Sequence, residues 1–243
     1  MNEQDTATRV SALLSRRTVL KGAAAGLAGV TLAQAGLFHA LAAESESVQQ
    51  ILDITATVEQ FGVTFLGAGI ASAQQKNFNK PVPAPVLAVL KAAQAQEHFH
   101  LAFFERAGGR PLVNTFTIPP LALTDYDTFF KAIVVQETTE VAAQIAAIGV
   151  YAGLKRPDLV KISFQYGAEE AEHRVLANAA LGTTPANDVA FAPMLFGTVG
   201  DLLVSMRQRG LIGGSGTAIA YPGPTPIDAT NVTYRTPSGP AVR

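Results

Sequence analysis

Two short stretches pair a carboxylate with an imidazole at the same spacing: Glu97-His98-Phe99-His100 and Glu170-Ala171-Glu172-His173. On an α-helix, residues three apart leave the same face one turn from one another. Each stretch would therefore aim a hard oxygen ligand and a nitrogen ligand at one point. Two apolar stretches each add a glutamate: Glu59 within Thr55–Leu66, and Glu137 within Ile133–Val141. Four helices turning these residues inward would assemble four carboxylates and two imidazoles, the ligand inventory of a two-metal carboxylate site in a four-helix bundle. A single Glu-x-x-His says little, because the same spacing serves surface pairs. The set says more. The chain has four histidines, His39 lies in the N-terminal segment, and two of the other three follow a glutamate by three positions.

Composition narrows the chemistry. With no cysteine, disulfides, thiolate zinc sites, iron-sulfur clusters and cysteine nucleophiles are excluded, so any metal must take oxygen and nitrogen ligands. Hydrophobic residues make up 48% and charged residues 15%, the pattern of closely packed helices. The formal charge is −1 with no basic block, so no nucleic-acid partner is expected. Tryptophan is absent and aromatics are 7%, which disfavours stacking platforms for bases or sugars. The length of 243 residues suits one domain with extensions.

The elements that would position these residues follow from periodicity and punctuation. Residues 47–75 lack proline and repeat Ile51, Ile54, Val58, Phe61 and Phe65 at helical spacing. Glu59, the only acid between Asp53 and Glu97, shares a face with Leu52, Thr55, Gly62 and Leu66. It is either a ligand or a boundary residue bonded to a tyrosine or the backbone. After a proline-rich break, a second helix runs from Pro85 to Ala107 and stops at Gly108-Gly109. Its Leu90, Ala93, Glu97, His100, Leu101 and Phe104 share one face, whereas His98 faces away with Ala95, and Glu105 and Arg106 are solvated. Residues 110–124, with three prolines, form a crossing loop. A third helix, capped by Thr124 or Asp125, runs to Tyr151, and a fourth spans Pro157 to Leu181 before Gly182. Glu137 has the more apolar surroundings, with Glu140 as its alternative. Glu169 stands four residues before His173 and competes with Glu170. His98 and Glu172 are expected in supporting or solvated positions.

These spans give an all-α architecture. Residues 46–182 form a four-helix bundle with a long crossover between helices two and three. Residues 183–243 form an extension with a short fifth helix near 196–209 and an irregular Gly/Pro-rich tail, parts of which would wrap the bundle or a neighbouring subunit. At the other end, Ser15-Arg16-Arg17-Thr18-Val19-Leu20-Lys21 resembles the twin-arginine export signal of bacteria. An uncharged run from Gly22 to Leu41 follows, and then Ala40-Leu41-Ala42 as a cleavage-like end. Residues 1–42 are thus expected to be a removable signal, leaving a periplasmic or secreted protein with no stable membrane insertion. A membrane anchor is the alternative, since the run approaches the ~20 residues of a bilayer span.

The order Glu, Glu-x-x-His, Glu, Glu-x-x-His across four helices resembles the ferritin-like superfamily. Behind an export signal, with a long middle crossover, the chain is most similar to its ferritin-like domain proteins related to desiccation-associated proteins. The resemblance covers residues 46–182. It implies two iron or manganese ions held by Glu59, Glu97, His100, Glu137, Glu170 and His173. The absence of a cysteine segment departs from a complete rubrerythrin-type peroxidase. Four carboxylates bring a charge that two divalent cations neutralise, and one nitrogen per metal among oxygens suits iron(II) or manganese(II). The expected function is oxidation of iron(II), or consumption of peroxide, in stress protection, with dioxygen or peroxide as the small-molecule partner. The competing expectation is a metal-free, non-enzymatic stress or envelope protein that uses the bundle as a scaffold. A homo-oligomer is compatible with either, while the long tail argues against a closed storage cage.

Overall fold

A computed structural model describes residues 46–224, 227–230, 232–235 and 237. The expected export signal lies outside the described residues. Among the described residues five α-helices dominate: α1 (Val48–Gln74), α2 (Ala84–Arg106), α3 (Tyr126–Gly153), α4 (Pro157–Ala180) and α5 (Gly200–Gln208). Two short strands, β1 (Thr115–Ile118) and β2 (Thr217–Ala220), and a 3-10 helix over Pro120–Leu123 accompany them.

Local chemistry sets the helix ends. Ser47 caps α1 through a capping box: its hydroxyl accepts from Gln50 N at 3.2 Å, and the Gln50 side chain accepts from Ser47 N at 2.8 Å. Asp125 caps α3 by accepting from Thr128 N at 2.7 Å. Prolines occupy the first turns of α2 and α4, where a missing N–H costs nothing. Gly108 and Gly182 follow α2 and α4 at φ 104° and 76°, the left-handed conformation that glycine takes without a Cβ penalty.

The helices pair as α1 with α2 and α3 with α4. Both pairs are antiparallel. Gln49 at the start of α1 donates to Gly108 O beyond the end of α2 (2.9 Å), and Tyr126 at the start of α3 donates its hydroxyl proton to Ala180 O at the end of α4 (2.9 Å). Tyr126 N also donates to Asn79 Oδ1, just past the end of α1. Residues 107–125 must therefore travel the length of the bundle between α2 and α3, and the long crossover follows from that path.

Aromatic side chains fill the end of the bundle where α1 stops. Phe61 stacks on Phe65 with centroids 5.4 Å apart, Phe65 meets Phe129 at 5.0 Å, and Phe116 of β1 closes over Phe61 at 5.4 Å. Phe61, Phe116, Phe129 and Phe130 are fully buried, each worth about 1.5–3 kcal/mol in transfer free energy. Gly69 makes room for Phe129, whose ring would collide with a Cβ there. Val48–Gln74 and Tyr126–Gly153 are long and apolar enough to cross a membrane, yet 83% and 56% of their most apolar windows are buried within this fold.

The crossing segment and the tail differ from the sequence expectation. The crossover is not only a loop: β1 pairs antiparallel with β2, Thr115 opposite Ala220 and Ile118 opposite Thr217. The tail is correspondingly not wholly irregular. The fifth helix begins at Gly200 and not near Phe196, because Asp201 accepts from Gly197 N and Thr198 N and holds a turn ahead of it. Glu46 then caps the helix by accepting from Val199 N (2.7 Å) and Gly200 N (2.6 Å). Leu202, Leu203 and Met206, an apolar stripe along this helix, are buried and join the same core as α1 and α3. Farther along, Asp228 accepts from Lys91 at 3.1 Å and Tyr234 stacks on Phe99 at 4.8 Å, so the tail lies along α2. Ala95, expected on an outward face, is buried.

Candidate metal centre

Helical phase brings the chemistry-bearing residues together. Glu59 comes from α1, Glu97 and His100 from α2, Glu137 and Glu140 from α3, and Tyr166, Glu170 and His173 from α4. The five glutamates are 0–4% exposed. Burying one isolated carboxylate costs several kcal/mol, so five in one place require compensation by protons, cations or hydrogen bonds.

Glu170 lies between the two histidines. Its Oε1 is 3.2 Å from His100 Nδ1 and its Oε2 is 3.0 Å from His173 Nδ1. His100 Nδ1 is also 3.4 Å from Glu59 Oε2, while His173 Nδ1 is 3.1 Å from Glu97 Oε1 and 3.9 Å from Glu137 Oε1. Three sets of ligand atoms fall within 4.8 Å of one another: Glu97, Glu137, Glu170 and His173; Glu59, His100 and Glu170; and Glu59, Glu97 and Glu140. Glu59, Glu97 and Glu170 each belong to two sets, and Glu170 alone shares a set with each imidazole.

The surroundings select the tautomer of His173. Its Nε2 is 3.2 Å from Gln96 Oε1, and Gln96 Nε2 in turn donates to Glu169 Oε1 at 2.7 Å. An amide oxygen only accepts, so Nε2 carries a proton; without a metal Nδ1 is protonated too and donates toward Glu170 and Glu97, and it is this Nδ1 proton that a cation would displace. Glu169 thereby takes a supporting place and Glu170 the inward one.

Seven buried side-chain oxygens and nitrogens lack a well-formed hydrogen bond among the described residues, and six of them belong here: Glu59 Oε2, both oxygens of Glu97, His100 Nδ1, Glu137 Oε2 and Glu170 Oε1. Buried polar atoms are almost always satisfied, so atoms this closely spaced and unpaired are suited to a cation. Gly62, one turn after Glu59, provides the space: a Cβ there would collide with the Glu97 carboxylate.

Protonation follows the same crowding. Burial first, then the Glu97 charge, holds Glu59 well above the usual carboxylate range. Burial and the Glu170 charge raise Glu97, Glu137 and Glu140. Glu170 is the exception. Burial would raise it, but its contacts with His100 and His173 outweigh that and pull it below the ordinary value. For His100, burial works downward and is overcome by Glu170 and Glu59, leaving the imidazole well above its usual range. His173 is raised in the same way by Glu170 and Glu97.

The expectation of one inward acid on α3 requires correction. Both Glu137 and Glu140 point inward, because α3 packs against α4 on one side and against α1 and α5 on others. Glu140 is the better satisfied: Gln136 Nε2 donates to its Oε1 at 2.8 Å, and the Tyr166 hydroxyl is 2.8 Å from its Oε2. Tyr166 also contacts Glu59 Oε1. One phenolic proton cannot serve two carboxylates, so Glu59 or Glu140 carries a proton when both contacts are hydrogen bonds. Arg209, at the C-terminal cap of α5, donates to Gln136 Oε1 at 2.7 Å, and burial lowers its pKa to about 10 against the opposing pull of Glu140. His98 lies outside the cluster and Glu172 is exposed.

Sequence reasoning did not find Gln96, Tyr166, Gln136 or Arg209. Two of them carried a signal: Tyr166 stands one turn before Glu170, and Gln136 one turn before Glu140. Gln96 neighbours Glu97 and reaches His173 only through helix packing. Arg209 arrives from a helix with no local mark of its destination.

Comparison of the chain with protein-family models, curated proteins and solved structures yielded no match. The fold and site define its class by themselves: a mostly helical, bundle-like protein with a buried Glu/His cluster able to hold metal ions.

Proposed function

We propose that the chain is an exported ferritin-like protein that binds two iron or manganese ions and uses them to oxidise iron(II) or consume peroxide in stress protection. Glu59 and His100 would hold one ion, Glu137 and His173 the other, with Glu97 and Glu170 between them. The observation that carries this reading is the group of six unpaired, buried ligand atoms facing one another. Iron or manganese there would supply a redox couple for exchange with dioxygen or peroxide.

The chain's own residues have separable tasks. Gln96 and Glu169 hold a proton on His173 Nε2, so Nδ1 is the nitrogen turned toward the carboxylates. Tyr166 Oη holds a proton at the edge of the centre, between Glu59 and Glu140, where burial and the Glu140 charge keep the phenol protonated. Leu101 and Phe104 of α2 pack beside Tyr166 and keep it buried. Ionised Glu170 offsets positive charge at both histidines.

The test is elemental analysis of protein purified from its native compartment, followed by oxidation of added iron(II), with the Glu97→Ala/His173→Ala double variant alongside. About two ions per chain, lost in the variant, are expected for a two-metal site. Less than about one ion per chain together with no iron(II) oxidation would overturn the proposal.

A further inference from the structure

At Glu137 and His173 the centre meets a second feature. A cavity of about 200 Å3 enters from the surface between α2 and α4 and ends on these two side chains. Leu66, Leu90, Phe130 and Ile133 form its floor, all buried. Half-buried Val89 and 43%-exposed Leu176 flank its mouth. Ala93, one turn before Glu97, and Ala177, one turn after His173, contribute only methyl groups to the walls, and the room between the helices is the volume that larger side chains would have filled.

Among the described residues, Glu137 and His173 are the titratable side chains that line this cavity. A charged or strongly hydrogen-bonding molecule would lose hydration along the walls and recover partners only at the inner end. The buried Glu137 Oε2 has no hydrogen-bond partner among the described residues. The volume is close to that of an apolar cavity of about 150 Å3 that takes up benzene, and is too small for a helix or a peptide segment.

We propose that the cavity binds a small uncharged apolar molecule, from benzene to a short alkyl chain in size, and presents it at the Glu137–His173 side of the centre. The presentation to a metal centre rests on the function proposed above; the binding does not.

Benzene is the probe, added to full-length protein in metal-loaded and chelator-treated forms, with binding followed through the alanine methyl resonances. Saturable shifts confined to the lining alanines, Ala93, Ala177, Ala179 and Ala180, are expected in both forms. Ala177→Leu should weaken binding by roughly tenfold or more, because the added carbons occupy the free volume. Val89→Trp at the mouth should do the same while leaving metal content unchanged, so the test survives if the leucine variant does not fold. Absence of shifts in the wild type, or equal binding in a folded filled variant, would overturn the proposal. So would a wild-type dimer that Val89→Trp dissociates, since a second copy would then be the occupant. Benzene binding by a protein that takes up no metal would sink the metal reading alone.

Discussion

Replacing Gly62 by alanine places a single methyl group against the candidate centre. Beyond its collision with the Glu97 carboxylate oxygen, the new Cβ would lie 2.7 Å from the carboxyl carbon and 3.2 Å from Cγ. Glu97 is 1% exposed and cannot move aside into solvent. In the metal-free protein two terms oppose one another. Alanine favours a helix interior over glycine by about 1 kcal/mol, and overpacking costs about 1–3 kcal/mol. The net loss is therefore between about zero and 2 kcal/mol, a modest change. Metal binding is where the effect concentrates. At a free metal concentration 100 times the dissociation constant, each site adds about 2.7 kcal/mol, so two sites raise the melting temperature by roughly 10–20 °C in a chain of this size. Because Glu97 belongs to two of the three ligand sets, its displacement should remove at least half of that rise. Thermal unfolding of chelator-treated and manganese(II)-loaded protein, with elemental analysis, measures both quantities. Gly149→Ala on exposed α3 backbone is the control: nothing lies within 4 Å of its Cβ, so it should add up to about 1 kcal/mol and leave metal content alone. A Gly62→Ala protein with wild-type metal content and an undiminished metal-induced rise would refute the placement of Glu97 in the centre.

Two further outcomes follow from the same geometry. In metal-free protein, Glu59, Glu97, Glu137, Glu140, His100 and His173 all have raised folded-state pKa values, so their stabilisation is complete below the unfolded values of 4.5 and 6.5 and is lost as pH rises. Glu170 acts oppositely, but only as pH falls below about 4.5. The melting temperature of chelated protein should thus decline from about pH 5 to pH 8, while metal affinity rises over that interval because ligands must shed protons; a flat or rising metal-free profile would contradict the assignment. Gln96→Leu removes the acceptor that holds the His173 proton on Nε2, and should weaken metal binding by about 10–100-fold with far-ultraviolet circular dichroism unchanged; unaltered affinity would exclude that positioning role.

Much of the helical framework was legible in the chain. Ser47, Asp125, Pro157, Gly108 and Gly182 mark helix ends through backbone groups within a few residues, and such contacts survive whatever the rest of the molecule does. The crossover was legible as a long connection, but not its strand: pairing of Thr115–Ile118 with Thr217–Ala220 depends on how two distant segments meet, which no local periodicity encodes. In the C-terminal extension the spacing of Leu202, Leu203 and Met206 marked an apolar helix face, but not that it would join the main core with α1 and α3.

The candidate centre divides the same way. By itself the sequence determined that Glu97 with His100, and Glu170 with His173, leave their helices on one face, because a spacing of three is one turn of any α-helix. Only the tertiary structure decided that Glu140 joins Glu137, that Glu170 and not Glu169 lies between the histidines, and that Gln96 of one helix orients His173 of another. Helix α3 is apolar on most of its circumference and packs on several sides, so periodicity left two phases for its acids, and the positions of α1, α4 and α5 made both of them interior.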